Sequence, residues 1–182
     1  MTPQQRLVDL CAAQLARRPL KIMPFWGHKP TPSGAIGAGC LSQWWPAAFT
    51  VDGLAYPTAE HWMMAGKARL FADDDGVAAV LAAKSPGAAK AAGRKVRGFD
   101  EQRWTDARYD LVVAGNLAKF GQHPNLREFL VATGDRVLVE ASPYDRIWGI
   151  GMAPTHPDVQ RPSAWRGLNL LGFALMDVRE RL

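Results

Sequence analysis

The sequence predicts an α+β fold: a single, mostly helical domain with a few short β-strands. Three observations carry this prediction. Apolar residues recur at helical spacing in seven segments, strand-like runs are few and short, and one Asp-Gly pair between two such runs marks a hairpin.

The first helix is predicted over residues 4–18. Leu7, Leu10, Cys11 and Leu15 fall on one side there, and Arg17 and Arg18 suit the negative end of the helix dipole. An extended piece follows at 21–26, and then a Gly- and Pro-rich loop at 27–39. Residues 1–20 are read as an N-terminal helical extension and 21–182 as the domain. The hairpin joins 48–51 to 54–56 through Asp52-Gly53, two residues that reach positive φ at low cost. Pro57 ends its second strand, and the Thr58 hydroxyl can cap a helix reaching about Phe71. Helices are predicted next at 76–83, at 86–95 behind Ser85 as cap with Pro86 in first position, and from Asp100 to near Phe120. Trp104, Arg108, Leu111, Val112 and Gly115 mark the inner side of that long helix. A short helix at 125–131, a strand at 136–140, a second short strand at Ile147-Trp148 and a final helix capped by Asn169 complete the order.

Composition bounds the function classes. With 182 residues, 48% hydrophobic and 21% charged, the chain can bury a sizeable core and is not a disordered one. The net charge of +5 fits a phosphate-bearing ligand, but Lys and Arg are scattered and form no dedicated nucleic-acid patch. Cys11 and Cys40, the two cysteines, are far apart and suit free thiols in a reducing compartment. Arg6 and Asp9 break any signal-peptide pattern. The uncharged stretch 31–51 holds too many Pro, Gly and polar residues for a membrane helix. A cytoplasmic protein without a membrane partner is expected.

Several catalytic devices are absent: no P-loop, no Gly-x-Ser-x-Gly elbow, and no metal-ligand spacing among His28, His61, His123 and His156. No metal is expected. Asp73-Asp74-Asp75 reads as a solvated loop and helix cap, and Gly149-Ile150-Gly151 as a loop glycine pair that opens no helix. Two features point to a ligand. Glu60 and Lys67 fall on one face of the helix behind Thr58, two turns apart with Met63 or Met64 between them, so they can flank a bound molecule. At the positive end of that helix, Glu60 is expected to be an anion unless burial overrides the dipole. Seven tryptophans are many, and Trp26, Trp44, Trp45, Trp148 and Trp165 lie in or beside loops, where indoles wall pockets for flat ligands.

An ordered series of motifs sharpens this reading. From the N-terminus it runs Leu41-Ser42-Gln43-Trp44-Trp45-Pro46, Tyr56-Pro57-Thr58-Ala59-Glu60-His61 with Lys67-Ala68, and Lys84-Ser85-Pro86. Gly93-Arg94, Asn116-Leu117-Ala118-Lys119-Phe120, Leu130-Val131-Ala132-Thr133-Gly134 and Leu138-Val139-Glu140 continue it. Asp145-x-x-Trp148-Gly149-x-Gly151 and Gly167-Leu168-Asn169-x-Leu171-Gly172 close it. The series resembles the NADAR or YbiA-like family from about Phe25 to the C-terminus. Gln43 departs from the Asn the family carries there. The resemblance implies a mainly helical α+β fold and cleavage of N-glycosidic bonds without a cofactor. The implied substrates are ribosylaminopyrimidine phosphates of riboflavin synthesis, or alternatively ADP-ribose linked to guanine. Nucleic acid would then be a partner only as an ADP-ribosylated substrate. A non-catalytic module binding ADP-ribose or a related NAD derivative is the remaining alternative.

Within that frame the residues suggest roles. Cleaving a ribosyl C–N bond builds positive charge on the sugar, so an anionic Glu60 beside C1 stabilises it or activates water. Lys67, if desolvated, can instead attack C1 of the ring-opened sugar. Asp145 can orient sugar hydroxyls or share acid–base work, Trp148 and Trp104 can wall the base, and Arg94 can meet phosphate. Gln43 and Gly149 complete the expected substrate-binding set.

Overall fold

The computed structural model describes residues 1–182. It is mostly helical, with seven helices and four short strands. The chain forms two compact units: Gln43–Arg127, and Met1–Ser42 together with Glu128–Leu182.

In the Gln43–Arg127 unit, β2 (Phe49–Val51) and β3 (Leu54–Tyr56) form the expected antiparallel hairpin. Asp52 and Gly53 both take positive φ, at 50° and 76°, as a tight hairpin turn requires. Helices α2 (Ala59–Leu70), α3 (Asp74–Leu81), α4 (Pro86–Gly93) and α5 (Glu101–Gln122) follow. Each starts behind a side-chain cap: Thr58, Asp73, Ser85 and Asp100 accept from backbone N–H groups. Helix α2 is central and packs on α3, α4 and α5. Its crossings are close because small residues face large ones. A Cβ at Gly66 would fall 2.5 Å from Leu111 Cδ1, one at Gly93 would fall 2.1 Å from Met64 Sδ, and one at Gly115 would fall 2.2 Å from Trp62 Cδ1. The Trp62 indole also donates to the Leu111 carbonyl at 2.8 Å. The hairpin joins the same core, with Phe49 stacked on Tyr56 and Tyr56 edge-on to Trp62.

The aspartate run is more structural than a solvated loop. Asp73 is buried; besides capping α3 it accepts from the Arg97 backbone and guanidinium at 2.8–3.1 Å. These bonds hold its carboxyl below the usual carboxylate range, the Arg97 backbone N–H being the largest cause.

In the second unit, β1 (Ile22–Phe25) pairs in parallel with β4 (Val137–Glu140), Ile22 opposite Val137. Helix α7 (Leu170–Arg181) packs on β4, and α1 (Pro3–Leu15) packs on α7, where Arg6 pairs with Asp177. Helix α6 (Pro124–Ala132) joins the units in sequence. Short 3₁₀ turns form at Ala38–Leu41 and Pro162–Ala164.

Three sequence expectations need correction here. The first helix stops at Leu15 rather than residue 18, because Arg17 turns left-handed at φ 53° and its N–H bonds back to Gln14. Ile147-Trp148 is not a strand. Its carbonyls instead accept the first N–H groups of α7, Leu170 at 3.3 Å and Leu171 at 3.1 Å. Asn169 precedes α7 but makes no side-chain cap. Its amide reaches sideways to β4, donating to the Leu138 carbonyl at 2.9 Å and accepting from the Glu140 N–H at 3.0 Å. No helix is long and apolar enough to cross a membrane.

Three substitutions test this packing and capping. Gly115→Ala forces the Trp62 indole aside and lowers unfolding stability by about 1–3 kcal/mol in denaturant titration. Gly121→Ala, in the same helix with nothing within 4 Å of the new methyl, raises it by about 0.4–1 kcal/mol. Asp73→Asn lowers stability at neutral pH. Because the folded Asp73 carboxyl is depressed, its contribution is full above the unfolded carboxylate pKa and is lost as pH falls through the folded one. The gap between wild type and variant therefore closes on acidification below about pH 4, and a pH series of melting temperatures reads it.

Candidate active site

Two groups of candidate residues sit in the Gln43–Arg127 unit, one at each end of α2. At its start, Glu60 is the second helical residue and is 3% exposed. Its backbone N–H donates to the Gln43 carbonyl at 3.0 Å, so the loop residue Gln43 anchors the helix entry. The Gln43 side chain accepts in turn from Asn116 Nδ2 at 2.9 Å, and the same nitrogen donates to the Val112 carbonyl at 2.9 Å. A bonded path thus joins the N-terminus of α2 to the middle of α5 through three buried polar residues.

His61 completes the helix entry. Its Nε2 faces the Ala83 carbonyl at 3.1 Å, which can only accept, so Nε2 carries a proton. Its Nδ1 sits 2.8 Å from the Thr58 hydroxyl. Both ring nitrogens are therefore engaged in holding the start of α2, the turn that carries Glu60. Glu60 is thus a buried acidic residue in the first turn of α2.

One turn beyond Asn116, Lys119 is 0% exposed with its Nζ 4.8 Å from the Phe120 ring centroid. Arg108 is also buried on α5. The sequence reading passed over Asn116 and Lys119 as candidates. Their signal is visible in hindsight: with Arg108 they place polar side chains at the inward spacing of Trp104, Val112 and Gly115, where an amphipathic helix carries apolar ones.

At the far end of α2, Lys67 Nζ donates to the Gly93 carbonyl at 3.1 Å. It lies 4.1 Å from the Phe99 ring centroid and 5.7 Å from that of Trp104. Burial pushes the Lys67 ammonium below the usual lysine range, and Glu101 partly opposes this. Trp104 is buried, with the ammonium over its ring. Arg94 is exposed at the C-cap of α4, next to the carbonyl that Lys67 holds. Lys67, Trp104 and Arg94 are therefore brought together, and Gln43 and Glu60 form the other group. A hollow of about 410 Å³ in this unit, lined by Asp73, Lys95, Arg97 and alanines of α3 and α4, contains none of these candidates.

Asp145, Trp148 and Gly149 share one loop of the other unit. Asp145 Oδ1 accepts from the N–H groups of Ile147 and Trp148, both at 2.8 Å, and so shapes that loop. A Cβ at Gly149 would fall 2.7 Å from the Glu140 carbonyl oxygen, and one at Gly167 would fall 2.3 Å from the Gly149 carbonyl oxygen. These glycines let two loops pack face to face, which supports the loop-pair reading of Gly149-Ile150-Gly151. Trp148 is half-buried. Of the other loop tryptophans, Trp165 is tied to the Val159 carbonyl at 2.9 Å, and exposed Trp26 packs at a tilt on Tyr144 with ring centroids 6.4 Å apart.

The chain matches the NADAR domain model over residues 24–182. It is 39% identical over 149 residues to the N-glycosidase R617 of Acanthamoeba polyphaga mimivirus, an alignment covering 79% of this chain and 88% of that protein. It is 33% identical over 138 residues to the N-glycosidase YbiA of Escherichia coli K12, covering 76% of each. The NMR structure of E. coli YbiA superposes with a TM-score of 0.70 at 28% identity, over 88% of this chain and 84% of that one. On this match, and on the mainly helical α+β fold the two chains share, the protein belongs to the NADAR domain family.

Proposed function

We propose that the protein is an N-glycosidase that hydrolyses the bond between ribose C1 and a nitrogen. Its preferred substrates are ribosylaminopyrimidine phosphates of the riboflavin pathway. The observation that carries the reading is Glu60: a carboxylate buried at the start of α2 and fixed there by the Gln43 carbonyl and the Thr58–His61 cap. Membership of a family whose relatives R617 and YbiA are named N-glycosidases supplies the bond class.

In this mechanism the C1–N bond breaks and its electron pair leaves with the nitrogen. Glu60 stabilises the positive charge that grows on the sugar and takes a proton from water as the water oxygen bonds to C1. The departing nitrogen receives a proton in exchange. Arg94, exposed and conformationally available, supplies a guanidinium for the 5′-phosphate. Trp104 contributes aromatic surface toward the base, while Asp145 and Gly149 shape the 145–151 loop that carries Trp148.

One observation favours a second route. Burial lowers the Lys67 ammonium, which raises the share of free amine able to add to the ring-opened C1 of the substrate; the substrate nitrogen leaves as an amine, taking a proton from the lysine nitrogen, and water then hydrolyses the lysyl imine to free Lys67 and the sugar. Against it, Phe99, Trp104 and Glu101 all favour the cation.

Glu60→Gln is expected to lower kcat by about 10²–10⁴ on a ribosylaminopyrimidine phosphate, with the melting temperature little changed. An unchanged kcat removes Glu60 from the chemistry. Running ADP-ribosylated guanine oligonucleotide beside that substrate decides between the two substrate classes, and binding of ADP-ribose with no turnover of either leaves the non-catalytic module. Borohydride during turnover tests Lys67: sugar trapped on wild type and Glu60→Gln but never on Lys67→Ala establishes the covalent route, and no trapped sugar on any of the three leaves Glu60 alone.

A further inference from the structure

We propose that the side-chain amides of Gln43 and Asn116 form a binding site for one hydroxyl oxygen beside Glu60, either a ribose hydroxyl of the substrate or the water that attacks it. The role of that oxygen rests on the N-glycosidase reading; the site itself does not.

The hydrogen bonds fix both amides. The Asn116 atom 2.9 Å from the Val112 carbonyl must be the nitrogen, because a carbonyl oxygen cannot donate. Its second hydrogen goes to Gln43, also at 2.9 Å, so the Gln43 atom facing it must be the oxygen. Neither amide can flip without setting oxygen against oxygen or nitrogen against nitrogen. What remains is Gln43 Nε2, with two hydrogens to give, and Asn116 Oδ1, able to accept. Neither atom has a hydrogen-bond partner in the protein, and both are buried, in residues 6% and 0% exposed. Buried amide atoms in this state are costly and uncommon in native proteins.

The two atoms are complementary as a pair. Each belongs to an amide whose other polar atom lies in the same 2.9 Å bond. The group that satisfies both must accept a hydrogen bond and donate one, which a hydroxyl does. A phosphate or carboxylate oxygen would suit Nε2 but repel Oδ1, and an ammonium the reverse. The main-chain carbonyl of Gln43 accepts from the Glu60 N–H, so the residue that carries the free amide donor also anchors the helix turn of the proposed catalytic residue. Gln43 and Asn116 are then specificity or positioning residues according to which hydroxyl they hold.

Gln43→Glu keeps the acceptor toward Asn116 Nδ2 and replaces the free donor by a carboxylate oxygen. Crystal structures of wild type, alone and with ribose 5-phosphate, are expected to show an oxygen within hydrogen-bond distance of both Gln43 Nε2 and Asn116 Oδ1. A sugar oxygen there assigns the ribose hydroxyl, and a water retained beside bound sugar assigns the nucleophile. Kinetics separates the same two cases. Loss of a substrate contact raises KM about tenfold or more in Gln43→Glu. Loss of the water contact leaves KM and shifts products toward the methyl riboside when methanol competes. Gln43→Met, lacking the same donor without adding a charge, repeats the kinetic arm if Gln43→Glu folds poorly. The proposal is overturned if no oxygen bridges the pair in either crystal, or if a folded variant keeps wild-type kcat, KM and product ratio. Should wild type turn over no ribosyl N-glycoside, the N-glycosidase reading falls, while the crystal result still decides the pair.

Discussion

The close approach of α2 to α4 and α5 is the constraint on which the Gln43–Arg127 unit depends. At Gly66, Gly93 and Gly115 a large side chain of one helix fills the place where a methyl of the other would be, and Trp62 adds a hydrogen bond to the Leu111 carbonyl. Such packing leaves α2 little freedom to slide or rotate, because interiors at crystal-like density do not deform smoothly. Both candidate groups hang from this one helix. Glu60 and Lys67, at opposite ends of α2, are therefore fixed in relation to each other by a rigid rod rather than by loops.

The local chemistry of the chain was the legible part. An Asp-Gly pair, and Thr58, Ser85 and Asp100 ahead of apolar periodicity, each act within three or four residues, so the sequence shows both partners of the interaction at once. What escaped was set by distant partners. The strand at Val137–Glu140 pairs in parallel with Ile22–Phe25, and no local pattern announces a partner that far away. Asn169 stands where a cap is expected, yet its amide serves the Leu138 carbonyl and the Glu140 N–H, while the α7 donors are met by carbonyls of Ile147 and Trp148. Asp73 caps α3 through a partner three residues away, while its bonds to Arg97 come from 24 residues along the chain.

The candidate site divides along the same line. Glu60 was readable because its cap and its position in the first helical turn are local. Asn116 and Lys119 were not singled out, because a polar residue on an inner helix face is indistinguishable in sequence from a small break in amphipathicity until the partner side chain is known. For Asn116 that partner is Gln43, which lies in another segment altogether. Lys67 shows the opposite limit. Its spacing from Glu60 was plain, but the Phe99 and Trp104 rings and the Gly93 carbonyl that hold its nitrogen come from elements 26 to 37 residues away.

Burying Glu60, Gln43, Asn116 and Lys119 in one unit works against stability, since polar groups taken from water recover at best what they lose. An apolar set of the same shape would fold at least as well. The tight helix crossings offset that cost, and they do so close by: Gly115 precedes Asn116 directly, and Trp62, which fills the space above Gly115, lies two residues after Glu60. Packing and polar burial are thus interleaved along the same turns of α2 and α5. Loosening the crossing to relieve one would disturb the other, so a change at Gly115, which meets the Trp62 ring and its indole N–H, reaches the proposed chemistry without replacing any of the four buried polar residues.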